Sequence, residues 1–147
     1  MNYLTVTGST KRKRGLAESA MIHCINELMP RMRTLDIELT LKSLTDEEVV
    51  GWCHEGENKR EFFIDIEKSL DGEDLIETVC HEMVHVWQSA TRKMKDKFRG
   101  GYKKLWKCKD GKYRNYLNTA YYKQPWEVEA YEMQGKLLES FKKEYVI

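Results

Sequence analysis

The chain has 147 residues, of which 41% are hydrophobic and 33% are charged, and its formal net charge is +1. This length predicts one domain over residues 1–147, and the balance of apolar and charged residues excludes an intrinsically disordered chain. No apolar run approaches the length of a membrane span, and the N-terminus lacks the apolar core of a signal peptide. We therefore expect a cytoplasmic protein without a membrane segment.

The first half of the chain predicts a helix followed by a small sheet. Residues 2–7 are β-prone and form either a strand or an ordered arm. From Leu16 to Met29 apolar residues recur at helical spacing, and the pattern ends at Pro30. Three short segments of alternating or apolar residues then predict a sheet of about three strands. These segments are residues 36–41, 49–53 and 61–67.

The second half of the chain predicts two further helices with an irregular insertion between them. The helix over about 73–91 begins with acidic residues, which the helix dipole favours. Residues 94–124 are rich in Lys, Tyr and Trp and show no sustained period, so they predict a hairpin or lid. Pro125 opens the last helix, which runs to about Glu144. These elements together predict a small α+β domain.

The helix over 73–91 contains an HExxH motif formed by His81, Glu82 and His85. Residues four apart lie on one helix face, so the two imidazoles can bind one metal ion with Glu82 beside it. The flanking residues are mostly apolar, and a polar stripe on a buried helix requires partners. This pattern is typical of zinc hydrolases, in which two imidazoles bind Zn²⁺ and a carboxylate accepts a proton from attacking water.

A catalytic zinc site requires a third protein ligand, and no His follows His85 in the chain. Two other histidines, His23 and His54, precede the motif. Seven acidic residues follow it as further candidates. They are Asp96, Asp110, Glu127, Glu129, Glu132, Glu139 and Glu144.

The HExxH motif and the later segment Glu127-Val128-Glu129-Ala130 together resemble the gluzincin metallopeptidases, several families of which carry an E-x-x-A signature. The order of elements is also similar to that of minimal, SprT-like HExxH domains in compact bacterial and phage proteins. The resemblance implies a zincin-like fold in which Glu127 is the third zinc ligand. The chain departs from SprT itself, which uses a third His, and from related families in having Tyr131 where they have Asp or Asn.

Motif and resemblance together predict a zinc-dependent metalloendopeptidase that acts on a protein or peptide, with Glu82 as general base. The oxyanion formed during hydrolysis requires a hydrogen-bond donor besides the metal. Tyr121 and Tyr122 are the preferred candidates because they immediately precede the helix of Glu127. Tyr116 and His54 are the alternatives.

The segment 92–123 contains twelve Lys and Arg residues against Asp96 and Asp110, a local charge of +10. Most such blocks are solvated faces that pair with the domain's own acidic residues. A basic segment with interspersed aromatic residues can also bind nucleic acid or an acidic partner. The alternative function is therefore a nucleic-acid-associated or regulatory module that retains a structural zinc site.

Overall fold

A computed structural model describes residues 1–145, which form three helices and two sheets in a mixed α+β arrangement. Among these residues, none of the helices combines the length and the apolar character that crossing a membrane requires. In chain order the elements are β1 (Tyr3–Thr7), α1 (Lys11–Leu28), β2 (Asp36–Lys42), β3 (Gly51–Glu55), β4 (Glu61–Glu67), α2 (Gly72–Ala90), β5 (Met94–Lys97), β6 (Lys103–Lys107), β7 (Tyr113–Asn115) and α3 (Pro125–Glu144).

The larger sheet has the strand order β1-β2-β4-β3, so β3 lies at one edge. The strands β1, β2 and β4 are parallel, whereas β3 runs antiparallel to β4. Alternate residues of β2 are buried, as expected for a strand with one face against the core. These residues are Ile37, Leu39 and Leu41. The three segments predicted as strands are therefore all present, with β3 beginning two residues later than expected.

The prediction of about three strands is corrected by β1, which adds a fourth. Residues Tyr3–Thr7 pair in parallel with β2, and the Tyr3 amide donates to the Leu35 carbonyl at 2.8 Å. An alternating polar pattern could not distinguish a paired strand from an arm, because parallel pairing depends on a partner more than thirty residues away in the chain.

The first helix also begins earlier than predicted, at Lys11 instead of Leu16. The Thr10 side chain caps it by accepting a hydrogen bond from the Lys13 amide at 3.3 Å. Residues 11–14 are basic and largely solvent-accessible, so they extend the helix without extending its apolar pattern. The helix start was therefore encoded in the cap, which periodicity alone does not detect.

The helix α2 forms the centre of the domain, and it contacts α1, α3, β3 and β4. Its side chains are buried over most of the circumference, from Leu75 to Ala90. The helix begins after Asp71, whose carboxylate accepts a hydrogen bond from the Gly72 amide at 2.7 Å. Because neighbours surround α2, any polar side chain on its inner turns must find a partner within the protein.

The insertion 94–124 contains a separate three-stranded antiparallel sheet with the order β5-β6-β7, one strand more than a hairpin. Its turns contain Gly100, Gly101 and Gly111, each with a φ between 80° and 99° that glycine adopts without strain. The strand β6 pairs with both of its neighbours. Trp106, for example, lies opposite Met94 on β5 and opposite Arg114 on β7. Its short strands are rich in charged residues and show no sustained apolar period.

Glu67, at the end of β4, carries a hydrogen-bonding role in the fold. Its Oε1 accepts from the Leu44 amide at 2.7 Å and its Oε2 accepts from the Ser69 amide at 2.8 Å. These two amides lower the pKa of Glu67 below that of an ordinary carboxyl group. The ionised carboxylate therefore joins two loops to the end of the sheet.

We expect the stability that Glu67 contributes to be complete above the usual carboxyl pKa of about 4.3 and to disappear as the pH falls through its lowered value. Glu67→Gln retains a single acceptor oxygen, so its free energy of unfolding at pH 7 should be below that of the wild type. The difference should shrink on acidification. Urea unfolding at neutral and acidic pH measures this, with the exposed Glu38→Gln as control; equal stability of Glu67→Gln at pH 7 would contradict it.

Candidate metal centre

The HExxH motif lies on α2, where His81, Glu82 and His85 are 7%, 5% and 9% exposed. The four-residue spacing places the two imidazoles on one face, with ring centroids 4.9 Å apart. Glu82 is the next residue after His81 and lines the same cavity as the two histidines. The helix therefore presents two nitrogen ligands and one carboxylate to a common space.

Glu127 approaches this space from the first turn of α3, where Pro125 begins the helix. One of its oxygens, Oε1, lies 2.9 Å from His81 Nε2 and 3.0 Å from His85 Nε2. In a tetrahedral zinc site with bonds of about 2.0–2.1 Å, ligand atoms are separated by about 3.3 Å. The three side chains are thus spaced as ligands of one metal ion would be.

The protonation of His85 follows from its contact with Gln88, which is fully buried. The Gln88 amide nitrogen donates to the Trp126 carbonyl and to the Glu129 carboxylate, both at 3.0 Å. Because both partners are acceptors, the Gln88 oxygen must face His85 Nδ1, at 2.8 Å. His85 Nδ1 therefore carries the proton, and in the neutral imidazole Nε2 presents a lone pair.

This lone pair of His85 faces an oxygen of Glu127, which is itself an acceptor. Two acceptors at such a distance require a cation between them, either a metal ion or an additional proton. His81 has a matching arrangement, since its Nδ1 lies 2.6 Å from the Gln134 amide oxygen. Hydrogen bonds to the distal ring nitrogen are typical of histidines that bind metals. The donor set therefore fits a cationic metal.

The charges of the site influence one another. Burial raises the pKa of Glu127, but the hydrogen bonds that His81 and His85 donate when their imidazoles are protonated outweigh burial and lower the value to about 2. Burial lowers the pKa of His81, while its contacts with Glu127, Glu82 and Gln134 raise it overall. The pKa of Glu82 is raised, mainly by burial, although the two histidines oppose the shift. Glu127 is thus an anion that could bind a metal ion, and Glu82 is a stronger base than an exposed carboxylate.

The side chains of His81, His85 and Glu127 line a cavity of about 390 Å³. All five residues of the edge strand β3 line one side of it. The insertion contributes Met94, Asp96, Tyr102 and Lys104 to the opposite side. Glu82 faces the same cavity, so a molecule bound there would contact both the metal ligands and the carboxylate.

Lys93 connects the metal site to the insertion. Its ammonium forms a salt bridge with Glu129, the residue that also accepts from Gln88. The same ammonium lies 5.1 Å from the ring centres of Trp87, on α2, and Trp106, on β6. At these distances the cation is attracted by both rings. A continuous chain of contacts therefore runs from His85 through Gln88, Glu129 and Lys93 to the insertion.

The two preferred tyrosines separate in the structure. Tyr121 lines the cavity, and burial together with the hydroxyl of Tyr131 raises its pKa. Tyr122 is 71% exposed and does not line the cavity, so the structure brings only Tyr121 of the pair to it. Consecutive residues in a 3₁₀ turn point about 120° apart, so only one of them can face the metal ligands. Of the alternatives, His54 lines the cavity and Tyr116 does not.

Three further residues contact the histidines, although no sequence motif assigned them a role, and they are Gln88, Gln134 and Tyr131. Tyr131 lies one helical turn after Glu127, and its ring centre is 4.6 Å from that of His81. Gln134 follows Glu127 by two turns, so both lie on one face of α3. The sequence signal for Tyr131 and Gln134 was therefore their spacing of four and seven residues from Glu127. This signal can be recognised only after Glu127 has been identified as a candidate ligand.

A second His/Glu group lies between α1 and α3 and contains His23, Glu27 and Glu144. His23 is 1% exposed, and its ring nitrogens lie 2.7 Å from the Ser140 hydroxyl and 3.2 Å from the Glu144 carboxylate. Both nitrogens therefore already have protein partners. His23 is thus a buried core residue whose ring is held by α3.

The basic segment 92–123 pairs less with acidic residues than expected. Within residues 1–145, two of its twelve Lys and Arg residues form salt bridges, Lys93 with Glu129 and Arg114 with Asp110. Other cations lie over aromatic rings, as Lys95 does over Tyr113. The sequence pattern could not show this, because it does not reveal which acidic residues of the first half lie near the basic segment in the folded protein.

Gln88→Leu tests the orientation of His85, because leucine has a similar size but no amide. We expect zinc affinity to fall about 10- to 100-fold, as it does when groups that orient metal ligands are removed. Competition with a chelator of known affinity measures the change. Glu132→Gln, which alters an exposed carboxylate on α3, is the control and should bind zinc as the wild type does. Equal zinc affinity in all three proteins would contradict the role of Gln88.

Compared with protein-family models, with curated proteins and with solved structures, the chain has no significant match. Its function must therefore be inferred from the geometry of the site.

Proposed function

We propose that the protein is a zinc-dependent metallopeptidase of the gluzincin type in which His81, His85 and Glu127 hold the metal. The observation that carries this proposal is the buried Gln88, which directs the Nε2 lone pair of His85 toward Glu127 Oε1. Two imidazoles and one carboxylate form a ligand set common to catalytic zinc sites. When bound, zinc polarises a carbonyl oxygen and lowers the pKa of a water molecule.

Glu82 is the general base of the proposed reaction. Its carboxylate is 5% exposed and faces the cavity beside the two histidines. Burial raises its pKa, so it accepts a proton from water more readily than an ordinary carboxylate does. Glu82 then transfers this proton to the leaving amine, and Tyr121 donates a hydrogen bond to the developing oxyanion.

The edge strand β3 provides the binding surface for an extended peptide. One side of β3 pairs with β4, and within residues 1–145 its other side has no strand neighbour. Its five residues run along the cavity that contains the metal ligands. A peptide added as a further strand would place a backbone carbonyl next to the metal, which suits hydrolysis of peptide bonds.

A structural zinc site, as in a regulatory or nucleic-acid-binding module, is the less favoured function. Structural zinc usually has four protein ligands that close the coordination sphere. Within the described residues the group at α2 supplies three ligands, and they face a cavity. An open coordination position beside a carboxylate favours catalysis.

The proposal is tested by zinc analysis and by hydrolysis of a mixed peptide library. We expect about one zinc ion per chain, cleavage that stops when a chelator removes zinc, and cleavage that returns when zinc is restored. Protein without zinc would refute the metal site. Zinc-loaded protein that cleaves no peptide but binds DNA in a salt-sensitive manner would instead support the nucleic-acid module.

A further inference from the structure

The β-hairpin formed by β5 and β6 ends in a turn that projects from the domain. Lys97 on β5 pairs with Lys103 on β6, and we call residues 97–103 the hairpin tip. Its turn contains Gly100 and Gly101, and a Cβ atom added to either glycine would have no protein atom within 4 Å beyond its chain neighbours. The apex of the turn is therefore free of packing and can reach a surface that the rest of the domain does not touch.

Two aromatic rings lie at the hairpin tip. Phe98 is 72% exposed and Tyr102 is 45% exposed, and their rings stack with centroids 5.2 Å apart and planes 21° apart. The Tyr102 hydroxyl donates to Asp96 at 2.7 Å, whereas Phe98 has no polar group to interact with water. A single exposed apolar side chain is common on proteins, but stacked rings at a projecting turn form an apolar patch, which indicates a binding surface.

The rest of the hairpin tip is basic. Lys97, Arg99 and Lys103 are exposed, and the tip contains no Asp or Glu. Within residues 1–145, none of these three side chains forms a salt bridge. Three uncompensated positive charges therefore surround the two rings.

This combination of rings and cations is typical of protein segments that lie at the surface of an anionic membrane. Aromatic side chains favour the interface between headgroups and hydrocarbon, because an apolar ring is partly removed from water there. Lys and Arg are attracted by anionic headgroups within about a Debye length of the surface. A projecting turn can reach a flat bilayer, and its rings can enter the headgroup region without displacing any part of the folded domain.

Single-stranded nucleic acid, another polyanion that stacks on aromatic rings, fits this surface less well. Proteins hold its backbone in a positively charged groove. The groove next to the hairpin tip is the cavity of the metal ligands, which Tyr102 also lines, and the described residues around it include four carboxylates and a single Lys. The carboxylates are Glu55, Glu82, Asp96 and Glu127. A nucleic-acid chain that continued from the tip into this cavity would meet like charge, whereas a bilayer surface contacts the tip alone.

We propose that the hairpin tip binds the surface of an anionic lipid bilayer. Phe98 and Tyr102 lie among the headgroups, and the three cations of the tip contact the anionic lipids around them. Binding is reversible and salt-sensitive, because the apolar patch is small and its cations are screened by salt. The inference does not depend on the proposed peptidase activity. Because Tyr102 also lines the cavity of the metal ligands, membrane binding holds the opening of that cavity beside the bilayer.

Sedimentation with lipid vesicles tests the proposal on the full chain. One set of vesicles contains phosphatidylcholine alone, and the other also contains phosphatidylserine. We expect the protein to sediment with the anionic vesicles at low salt, to bind phosphatidylcholine vesicles much more weakly, and to dissociate as the salt concentration rises. Zinc should not change this binding, since the three side chains of the metal centre lie outside the hairpin tip.

Variants of the hairpin tip separate the contributions of ring and charge. Phe98→Ser removes the exposed ring and should lower the vesicle partition coefficient about 10-fold, whereas Phe98→Trp should retain it. Arg99→Gln removes one charge and should lower the coefficient on anionic vesicles about fivefold. The matched controls are Tyr122→Ser, which removes a 71% exposed ring of the same insertion, and Lys109→Gln, which removes an exposed charge. Both controls should bind vesicles nearly as the wild type does.

Circular dichroism verifies that each variant is folded, which substitutions at exposed positions should not change. The proposal is overturned if the wild type does not sediment with anionic vesicles, or if Phe98→Ser binds them as the wild type does. Binding of a single-stranded oligonucleotide in place of vesicles, with loss of that binding in Phe98→Ser, would assign the hairpin tip to nucleic acid and also overturn the proposal.

Discussion

Glu82→Gln is expected to abolish peptide hydrolysis while zinc remains bound. The amide is nearly identical in shape to the carboxylate but cannot accept a proton at neutral pH. General bases contribute about 10²- to 10⁴-fold to the rate, so kcat should fall by about that factor. The side chain does not contact Glu127 or either imidazole through a hydrogen bond, and zinc affinity should therefore change little. Steady-state kinetics and zinc analysis on the same preparation measure both quantities.

The control for this variant is Glu132→Gln, which alters an exposed carboxylate on α3. Its kcat should equal that of the wild type. If Glu82→Gln cleaves peptides at the wild-type rate, Glu82 is not the base. If Glu82→Gln loses zinc as well as activity, the carboxylate instead supports the metal.

Glu127→Ala is expected to weaken zinc binding by more than about 100-fold, because removal of groups that only orient ligands already costs about 10- to 100-fold. The variant keeps both imidazoles on α2 but loses the only ligand from α3. Zinc stabilises a protein according to how far its concentration exceeds the Kd, by about 2.7 kcal/mol at a hundredfold excess. Glu127→Ala should therefore lose the increase in melting temperature that zinc produces in the wild type.

Chelator competition and thermal unfolding with and without zinc measure these effects, and Glu132→Ala serves as the control. Glu129→Ala separates the two neighbouring carboxylates. Glu129 contacts Gln88 and Lys93 instead of the imidazoles, so its loss should weaken zinc less than the loss of Glu127. A larger effect from Glu129→Ala would reverse the assignment of the third ligand.

The local features of the fold were predictable from the sequence. The helix α2 is rich in apolar residues on both sides of the HExxH motif, and Pro125 marks the start of α3. Both helices therefore begin and end within one residue of the predicted bounds. Helix periodicity depends on residues three and four apart, which the sequence displays directly. The position of the two histidines follows from the same spacing.

Features that depend on distant partners were not predictable in this way. The pairing of β1 with β2, the third strand of the insertion and the choice of Tyr121 over Tyr122 all require the tertiary arrangement. Gln88 was visible as part of a polar stripe, but its two acceptors lie on α3. The packing of α2 against α3 therefore decides which residues can bind a metal ion and which residues orient them.

The position of Lys93 restricts how the insertion can move. To swing away from the cavity as an independent flap, β6 would have to withdraw Trp106 from the Lys93 ammonium, which Trp87 and Glu129 also hold. Such a movement would expose a half-buried ion pair and two indole faces at once. Local opening of the insertion is therefore coupled to the junction of α2 and α3. Trp106→Ala should accordingly speed the exchange of the amide hydrogens of β6, which pairing with β5 and β7 otherwise protects.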